Sequence, residues 1–400
     1  MRARLLPGWA LALAAGLGLG ILVARAAPPD GLAALHGSGD DAGFEIAQGA
    51  RRFEFPQDHG PHPQFRHEWW YFTGRLRAAD GEQFGFELTF FRLGVLPPAV
   101  ASRPATAGTD SAVGSKWRAR QMYAAHFAVT DVAHRVFHAN ARYAREALGL
   151  GLARAGSVAG GGGAAAGGLE IRVQDWSLVE EPAQGATGRW RLQADDGAYA
   201  IDLHAVIAGN PVLNGTGGLS VKADVPGAAS WYYSMPRLPL SGTLLRNGRA
   251  LQVTGEAWLD REWGSGGLGP EQQGWDWHAL QLSDGSALMF YSLRGLDGRP
   301  DPHSAGTFVA ADGRVQALHA GDFRITATRG WDSPRGGRYP AAWQLRVPAL
   351  DLALDLVPVL ADQELPTQPR YWEGAVDGQG TRAGQAVSAQ GYVELVGYAK

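Results

Sequence analysis

The sequence predicts an all-β chain made of two antiparallel barrels in tandem, and three observations predict it. Short runs rich in Val, Leu, Phe, Tyr and Trp alternate with Asp-Gly or Asn-Gly dipeptides, the pattern of strands joined by tight hairpins. These dipeptides are Asp80-Gly81, Asp196-Gly197, Asn247-Gly248, Asp284-Gly285, Asp297-Gly298, Asp312-Gly313 and Asp377-Gly378. Fifty-six Gly and 23 Pro suit many turns better than long helices. Beyond the N-terminal segment, no stretch keeps a 3.6-residue apolar period for three turns; residues 141–154 are the one candidate, a short helix.

Taken in order, Arg2 and Arg4 precede an apolar stretch from Trp9 to Val23, and Ala24-Arg25-Ala26 follows with small residues flanking the arginine. Residues 1–26 therefore read as a cleaved export signal, which predicts a periplasmic or secreted protein. The alternative is an uncleaved N-terminal membrane anchor, for which the run is short. Residues 27–52 read as a flexible lead-in and 53–234 as the first barrel. Low-complexity segments at 97–115 and 156–168 are expected as exposed loops. Met235-Pro236-Arg237-Leu238-Pro239-Leu240 reads as a stiff connector between Ser234 and Ser241, because proline cannot serve a central strand on both edges. Residues 241–398 then form the second barrel. Each half is of a size that closes into an antiparallel barrel.

Composition narrows the function. Apolar residues make up 45% of the chain and charged ones 19%, enough for real cores and too apolar for a disordered chain. A net charge of −3 with no basic block gives nucleic acid no footprint. The absence of Cys removes disulfides, thiolate nucleophiles and Cys-bound zinc. Fourteen Trp supply large flat apolar area suited to the walls of a ligand cavity as well as to cores.

Two aromatic strings carry acids. One is His67-Glu68-Trp69-Trp70-Tyr71-Phe72-Thr73-Gly74; the other is Trp258-Leu259-Asp260-Arg261-Glu262-Trp263-Gly264, followed by Gly274-Trp275-Asp276-Trp277-His278. Carboxylates among large rings lose solvation and keep their protons to higher pH, which is one way to make a general acid. Strand alternation puts Trp258, Asp260 and Glu262 on one face and Leu259, Arg261 and Trp263 on the other. If Trp258 turns its face inward, the two acids crowd each other; if that face is wet, they are solvated charges. Glu68 shares a face with Trp70 and Phe72, so it is expected to be buried and to need a donor.

Two-residue turns set the expected registers. At Asp284-Gly285 such a turn places His278 opposite Tyr291 and Asp276 opposite Leu293, joining an acid, an imidazole and a phenol on an apolar wall. At Asp80-Gly81 it places Trp69 opposite Arg92, Glu68 opposite Leu93, Trp70 opposite Phe91 and Tyr71 opposite Phe90. An ordinary cross-strand pair is the plainer reading of His278 and Tyr291.

Other chemistry finds no support. His59, His62 and His67 do not have the spacing of a helical metal pair, so no metal is expected. There is no G-x-S-x-G elbow, no phosphate loop and no dinucleotide fingerprint, so no cofactor is expected.

The His67-to-Gly74 string resembles the opening signature of the AttH/carotenoid 1,2-hydratase-like family, and the Trp258-to-Gly264 and Trp275-to-His278 strings resemble its second-half signatures. The resemblance spans about residues 53 to 397. It implies an exported protein of two lipocalin-like (calycin) barrels and a hydratase that adds water to an alkene of an apolar isoprenoid. It further implies Asp276, His278 and Tyr291 as candidate catalytic residues, to which the face shared with Trp258 adds Asp260 and Glu262. Glu68, Trp69, Trp70, Tyr71, Trp258, Trp263, Trp275 and Trp277 are the candidate ligand contacts. The rival expectations are a non-catalytic isoprenoid or lipid carrier serving an envelope ABC-type transport system, and a hydrolase using Asp260 and Glu262 as acid and base.

Overall fold

A computed structural model describes residues 41–98, 119–155, 168–184 and 187–399. The expected signal segment, most of the lead-in, and most of the 97–115 and 156–168 loops lie outside the described residues.

Among the described residues, thirteen strands form one antiparallel sheet: β1 His67–Ala78, β2 Gln83–Gly94, β3 Gln121–Asp131, β4 Val136–Arg145, β5 Gly151–Arg154, β6 Glu170–Val173, β7 Trp176–Gln184, β8 Thr187–Asp195, β9 Tyr199–Ile207, β10 Val212–Leu213, β11 Leu219–Val221, β12 Ala229–Arg246 and β13 Arg249–Gly264. Their order is β4-β3-β2-β1-β13-β12-β9-β8-β7-β6-β5, with β10 and β11 on β12. The two ends approach, and the sheet is nearly a closed barrel. A second, ten-stranded sheet curls into a half-barrel: β14 Gln272–Leu282, β15 Ala287–Gly295, β16 Ala305–Val309, β17 Val315–His319, β18 Arg324–Asp332, β19 Arg338–Val347, β20 Leu352–Pro358, β21 Glu364–Leu365, β22 Tyr371–Arg382 and β23 Gln385–Leu395. Its order is β17-β16-β15-β14-β23-β22-β20-β19-β18. Three single 3₁₀ turns lie among the described residues, and no helix there is long and apolar enough to cross a membrane. The all-β, two-barrel expectation holds, with the second barrel half open. The short helix expected over 141–154 is instead the end of β4, one 3₁₀ turn and β5.

The connector expected at Ser234–Ser241 is the middle of β12. On one edge β12 pairs with β13 along its length, with a bulge between Met235 and Leu238. On its other edge pairing with β10 and β11 stops at Ser234, and pairing with β9 starts at Leu240. Pro236 and Pro239 sit in that gap, where a missing N–H costs no ladder bond on the open edge. The first sheet therefore runs on to Gly264, and the chain enters the half-barrel after it.

Each strand alternates. Trp70 and Phe72 of β1, Phe84, Phe86 and Phe90 of β2, and Leu259 and Trp263 of β13 fill the first barrel. Leu280 of β14, Phe290 of β15, Trp372 of β22 and Val393 of β23 fill the half-barrel. The opposite faces of these strands, which in a free barrel would meet water, meet one another. A third apolar cluster, containing Tyr71, Tyr232, Trp258, Trp277, Met289, Tyr291 and Tyr392, is that seam.

The expected hairpin registers are off by one residue, for one reason. At Asp80-Gly81 and Asp284-Gly285 the loop holds three residues. Gly81 (φ +94) and Gly285 (φ +87) take the left-handed conformation. The aspartate accepts from the amide two residues on, Glu82 at 3.1 Å and Ser286 at 2.9 Å, which holds it in a type I turn followed by a bulge. At Asn247-Gly248 both residues have positive φ and the loop does hold two, Arg246 facing Arg249. A one-residue slip changes the face of every partner. Glu68 thus faces Arg92, Trp69 faces Phe91, Trp70 faces Phe90 and Tyr71 faces Thr89; Trp277, not His278, faces Tyr291.

Candidate functional site

One end of the seam opens into a cleft with about 130 Å³ of enclosed space. Its walls are aromatic: Trp69, Tyr71 and Phe91 from β1 and β2, Tyr232 from β12, Trp275 and Trp277 from β14, Tyr291 from β15 and Tyr371 from β22. Its polar side chains are few: His67, Lys222, Ser230, Asp260, Glu262 and Glu394.

Asp260 and Glu262 lie on the outward face of β13, beside Trp258, as alternation predicts. Asp260 accepts from the Tyr232 and Ser234 hydroxyls and from the Trp258 indole N–H at 2.6 Å. Burial pushes its carboxyl up to about 6, and these three donors limit the rise. The Trp277 indole donates to the Tyr232 hydroxyl at 3.2 Å, so a side chain of the half-barrel holds the donor of an acid on the first barrel. Glu262 accepts from the Ser230 hydroxyl and pairs with the Lys222 ammonium at 3.2 Å. That ammonium lies 4.2 Å from the centre of the Tyr291 ring, a cation–π contact. Burial alone would lower the Lys222 pKa; the Glu262 carboxylate outweighs it and keeps the lysine charged.

A second group of acids escaped the sequence reading. Glu373 of β22 and Glu394 of β23 are cross-strand partners at the seam. Tyr71 donates its hydroxyl to Glu373, and the Trp275 indole donates to Glu394. Glu87 of β2 accepts from Thr89 at 2.8 Å. Burial pushes Glu394 up to about 7 and Glu87 up to about 8, and raises Glu373 well above the usual carboxylate range, with Glu394 and Glu87 adding to that rise. None of the three belongs to a motif. Each stands on the face of an amphipathic strand that ordinarily meets solvent, so a lone barrel would leave it an ordinary surface charge. The available signal was the apolar context, as in Phe86-Glu87-Leu88 and Val393-Glu394-Leu395.

The structure separates the expected acid-imidazole-phenol group. His278 points into the half-barrel, stacked on Phe290 with ring centres 4.5 Å apart and edge-on to Trp343. Burial lowers it to about 3, so it is neutral and cannot donate a proton at neutral pH. Asp276 is locked by the Arg294 guanidinium and by the Tyr398 hydroxyl, 3.1 Å from each oxygen. Tyr291 alone of the three reaches the cleft, where it bonds Ser220 at 2.7 Å.

Of the expected ligand contacts, Trp69, Tyr71, Trp275 and Trp277 line the cleft. Trp258 backs it through its bond to Asp260. Trp70 and Trp263 face the first barrel's core, and Glu68 is fully buried away from the cleft. Glu68 binds both Arg92 and Arg261 and accepts the His62 amide at 3.0 Å. Burial would raise its pKa, but the two guanidiniums hold it well below the carboxylate range. Arg261 in turn lies over Trp70 at 3.8 Å. The acid anchors the segment before β1, where His62 stacks on Trp263 at 3.9 Å and His59 bonds the Tyr233 hydroxyl at 2.6 Å. Glu82, Asp131 and His134 come close enough together to share an ion, but the Arg246 guanidinium already bonds both acids.

The AttH-like family model matches residues 46–398. A crystal structure from Nitrosomonas europaea, provisionally described as an AttH protein, is 32% identical at a TM-score of 0.74, covering 89% of this chain and 100% of that one. Kievitone hydratase from Nectria haematococca shares the fold at 16% identity and a TM-score of 0.62, covering 90% and 95%. CghA in complex with Sch210972 does so at 14% identity and a TM-score of 0.50, covering 88% and 94%. No curated protein matches the sequence significantly.

Proposed function

The chain belongs to the AttH-like family, and from that premise we propose that its seam cleft holds a large apolar ligand of isoprenoid or lipid type and adds water across one of its carbon–carbon double bonds. The observation that carries this reading is a pair of carboxyls of unequal proton affinity opening onto one aromatic cleft. Glu394, raised to about 7, retains a proton near neutral pH and is the donor. Asp260, raised to about 6, is mostly ionised there and is the acceptor. The proton of Glu394 forms the new C–H bond, and the π pair leaves a cation at the neighbouring carbon. The faces of Trp277 and Trp69 stabilise that charge. Water forms the C–O bond as its proton passes to Asp260, and exchange with solvent returns both carboxyls to their starting states. That one protein of this fold is a kievitone hydratase supports the reaction class. The N-terminal charged-then-apolar segment supports placing the reaction outside the cytoplasm.

A second reading rests on a specific observation: Asp260 already accepts three hydrogen bonds, as a purely structural acid would. The protein is then a carrier of the same ligand class, serving an envelope transport system.

Incubation with an acyclic isoprenoid in oxygen-18 water decides between them. The hydratase reading expects a labelled alcohol by mass spectrometry, reduced about 100-fold or more in Asp260→Asn and Glu394→Gln. Unlabelled, unchanged isoprenoid recovered bound to wild-type protein would establish the carrier and end the catalytic proposal.

A further inference from the structure

We propose that Glu373 is a positioning residue that keeps its own proton and donates a hydrogen bond to Glu394 at the wall of the cleft. Only the catalytic consequence rests on the reading of Glu394 as acid; the pair itself does not.

The geometry carries it. The two residues are cross-strand partners on the seam face of β22 and β23, which sets their carboxyls side by side. Two carboxylates are both acceptors, so a hydrogen bond between them forms only if one of them holds a proton. Glu373 is fully buried; one oxygen takes the Tyr71 hydroxyl, and the other meets no donor.

Among the described residues, the groups facing the pair supply no counter-charge. From β1 comes the Tyr71 phenol, from β2 Glu87, and from β13 Asp260 and Glu262. Tyr371 precedes the pair on β22 and bonds His126 of β3 at 2.7 Å, an imidazole that burial keeps neutral; Tyr392 is on β23. The seam cations Arg75 and Lys222 are engaged elsewhere, with Asp377 at 2.9 Å and Glu262 at 3.2 Å. Two adjacent carboxyls without a cation cannot both ionise in a dry site.

Glu394 is the member that lines the cleft, so it ionises first and Glu373 holds the remaining proton. When Glu394 gives its proton to a ligand, its carboxylate is left accepting from the Glu373 O–H. The O–H bond of Glu394 breaks, that of Glu373 remains, and the new charge stays on Glu394 with a donor in place.

Carboxyl carbon-13 NMR titration of ligand-free protein, with glutamate labelled at Cδ, tests this. In wild type, Glu394 is expected to titrate near neutrality and Glu373 to show its step only above that of Glu394. Glu373→Leu removes the donor and should raise the Glu394 midpoint by at least one pH unit; Glu373→Gln restores a donor and should return it. An ordinary carboxylate step for Glu373, or an equal Glu394 midpoint in the Leu variant and wild type, overturns the proposal. The wild-type titration decides alone if a variant does not fold. An intact titration without hydration would end the catalytic reading and leave the pair standing.

Discussion

Tyr71 donates its hydroxyl to Glu373 across the seam, joining the first strand of the near-closed barrel to the half-barrel. Both side chains occupy the faces that would meet water if either sheet stood alone. The contact therefore exists because the barrels dock. Removing it with Tyr71→Phe leaves a buried carboxyl without its donor and should cost about 1–3 kcal/mol. Urea unfolding measures this, and a shift below about 0.5 kcal/mol would show that the bond does not hold the seam together.

The seam acids make stability depend on pH with a definite sign. Glu87, Glu394 and Asp260 have folded-state pKa values of about 8, 7 and 6, all raised chiefly by burial. The folded state therefore binds more protons than the unfolded chain between about pH 4 and pH 8. Their stabilising contribution is complete below the unfolded carboxylate pKa and is lost as pH rises through the folded values. Thermal unfolding should show the melting temperature falling from pH 6 to pH 9. Glu87→Gln, neutral at every pH, should flatten part of that fall and gain roughly 1–3 kcal/mol over wild type at pH 9. A melting temperature that rises across this window contradicts the assignment.

Glu68 should behave in the opposite way. Its pKa is depressed, since Arg92 and Arg261 outweigh the effect of burial. Its contribution is present above the unfolded carboxylate pKa and disappears as pH falls below about 4. Glu68→Gln leaves two buried guanidiniums without their counter-ion and should cost about 3–5 kcal/mol. Because Glu68 does not line the cleft, affinity for an apolar ligand should be unchanged in the molecules that still fold. Lost affinity together with unchanged stability would make Glu68 a ligand residue after all.

Alternation along strands could be read from the residues themselves, and it placed Asp260 and Glu262 on one face with Trp258 and buried Glu68. Register could not be read so directly. Asp-Gly serves both two-residue and three-residue loops, and the added residue at Asp284-Gly285 moved Tyr291 away from His278 and onto the face of Trp277. The seam acids were hidden for a different reason. Glu87, Glu373 and Glu394 occupy positions that look solvent-facing until a second sheet covers them. The prolines of β12 misled similarly: a strand that changes neighbours along its length tolerates what a central strand would not.

Trp277 and His278 are neighbours in sequence on opposite faces of β14, and that division gives the sharpest comparison. The Trp277 indole lines the cleft and donates to Tyr232, whereas the His278 ring lies in the half-barrel core between Phe290 and Trp343. Trp277→Ala removes a wall of the cleft and should weaken binding of a neutral apolar fluorophore such as N-phenyl-1-naphthylamine about 10-fold, the equivalent of about 1.4 kcal/mol. His278→Phe puts an apolar ring where a neutral imidazole already stacks, and should leave that affinity unchanged at a stability cost under about 1.5 kcal/mol. Fluorescence titration of the two variants side by side separates the faces. Equal losses would mean that the half-barrel interior, not the seam, holds the ligand, since only then would His278 feel it as strongly as Trp277.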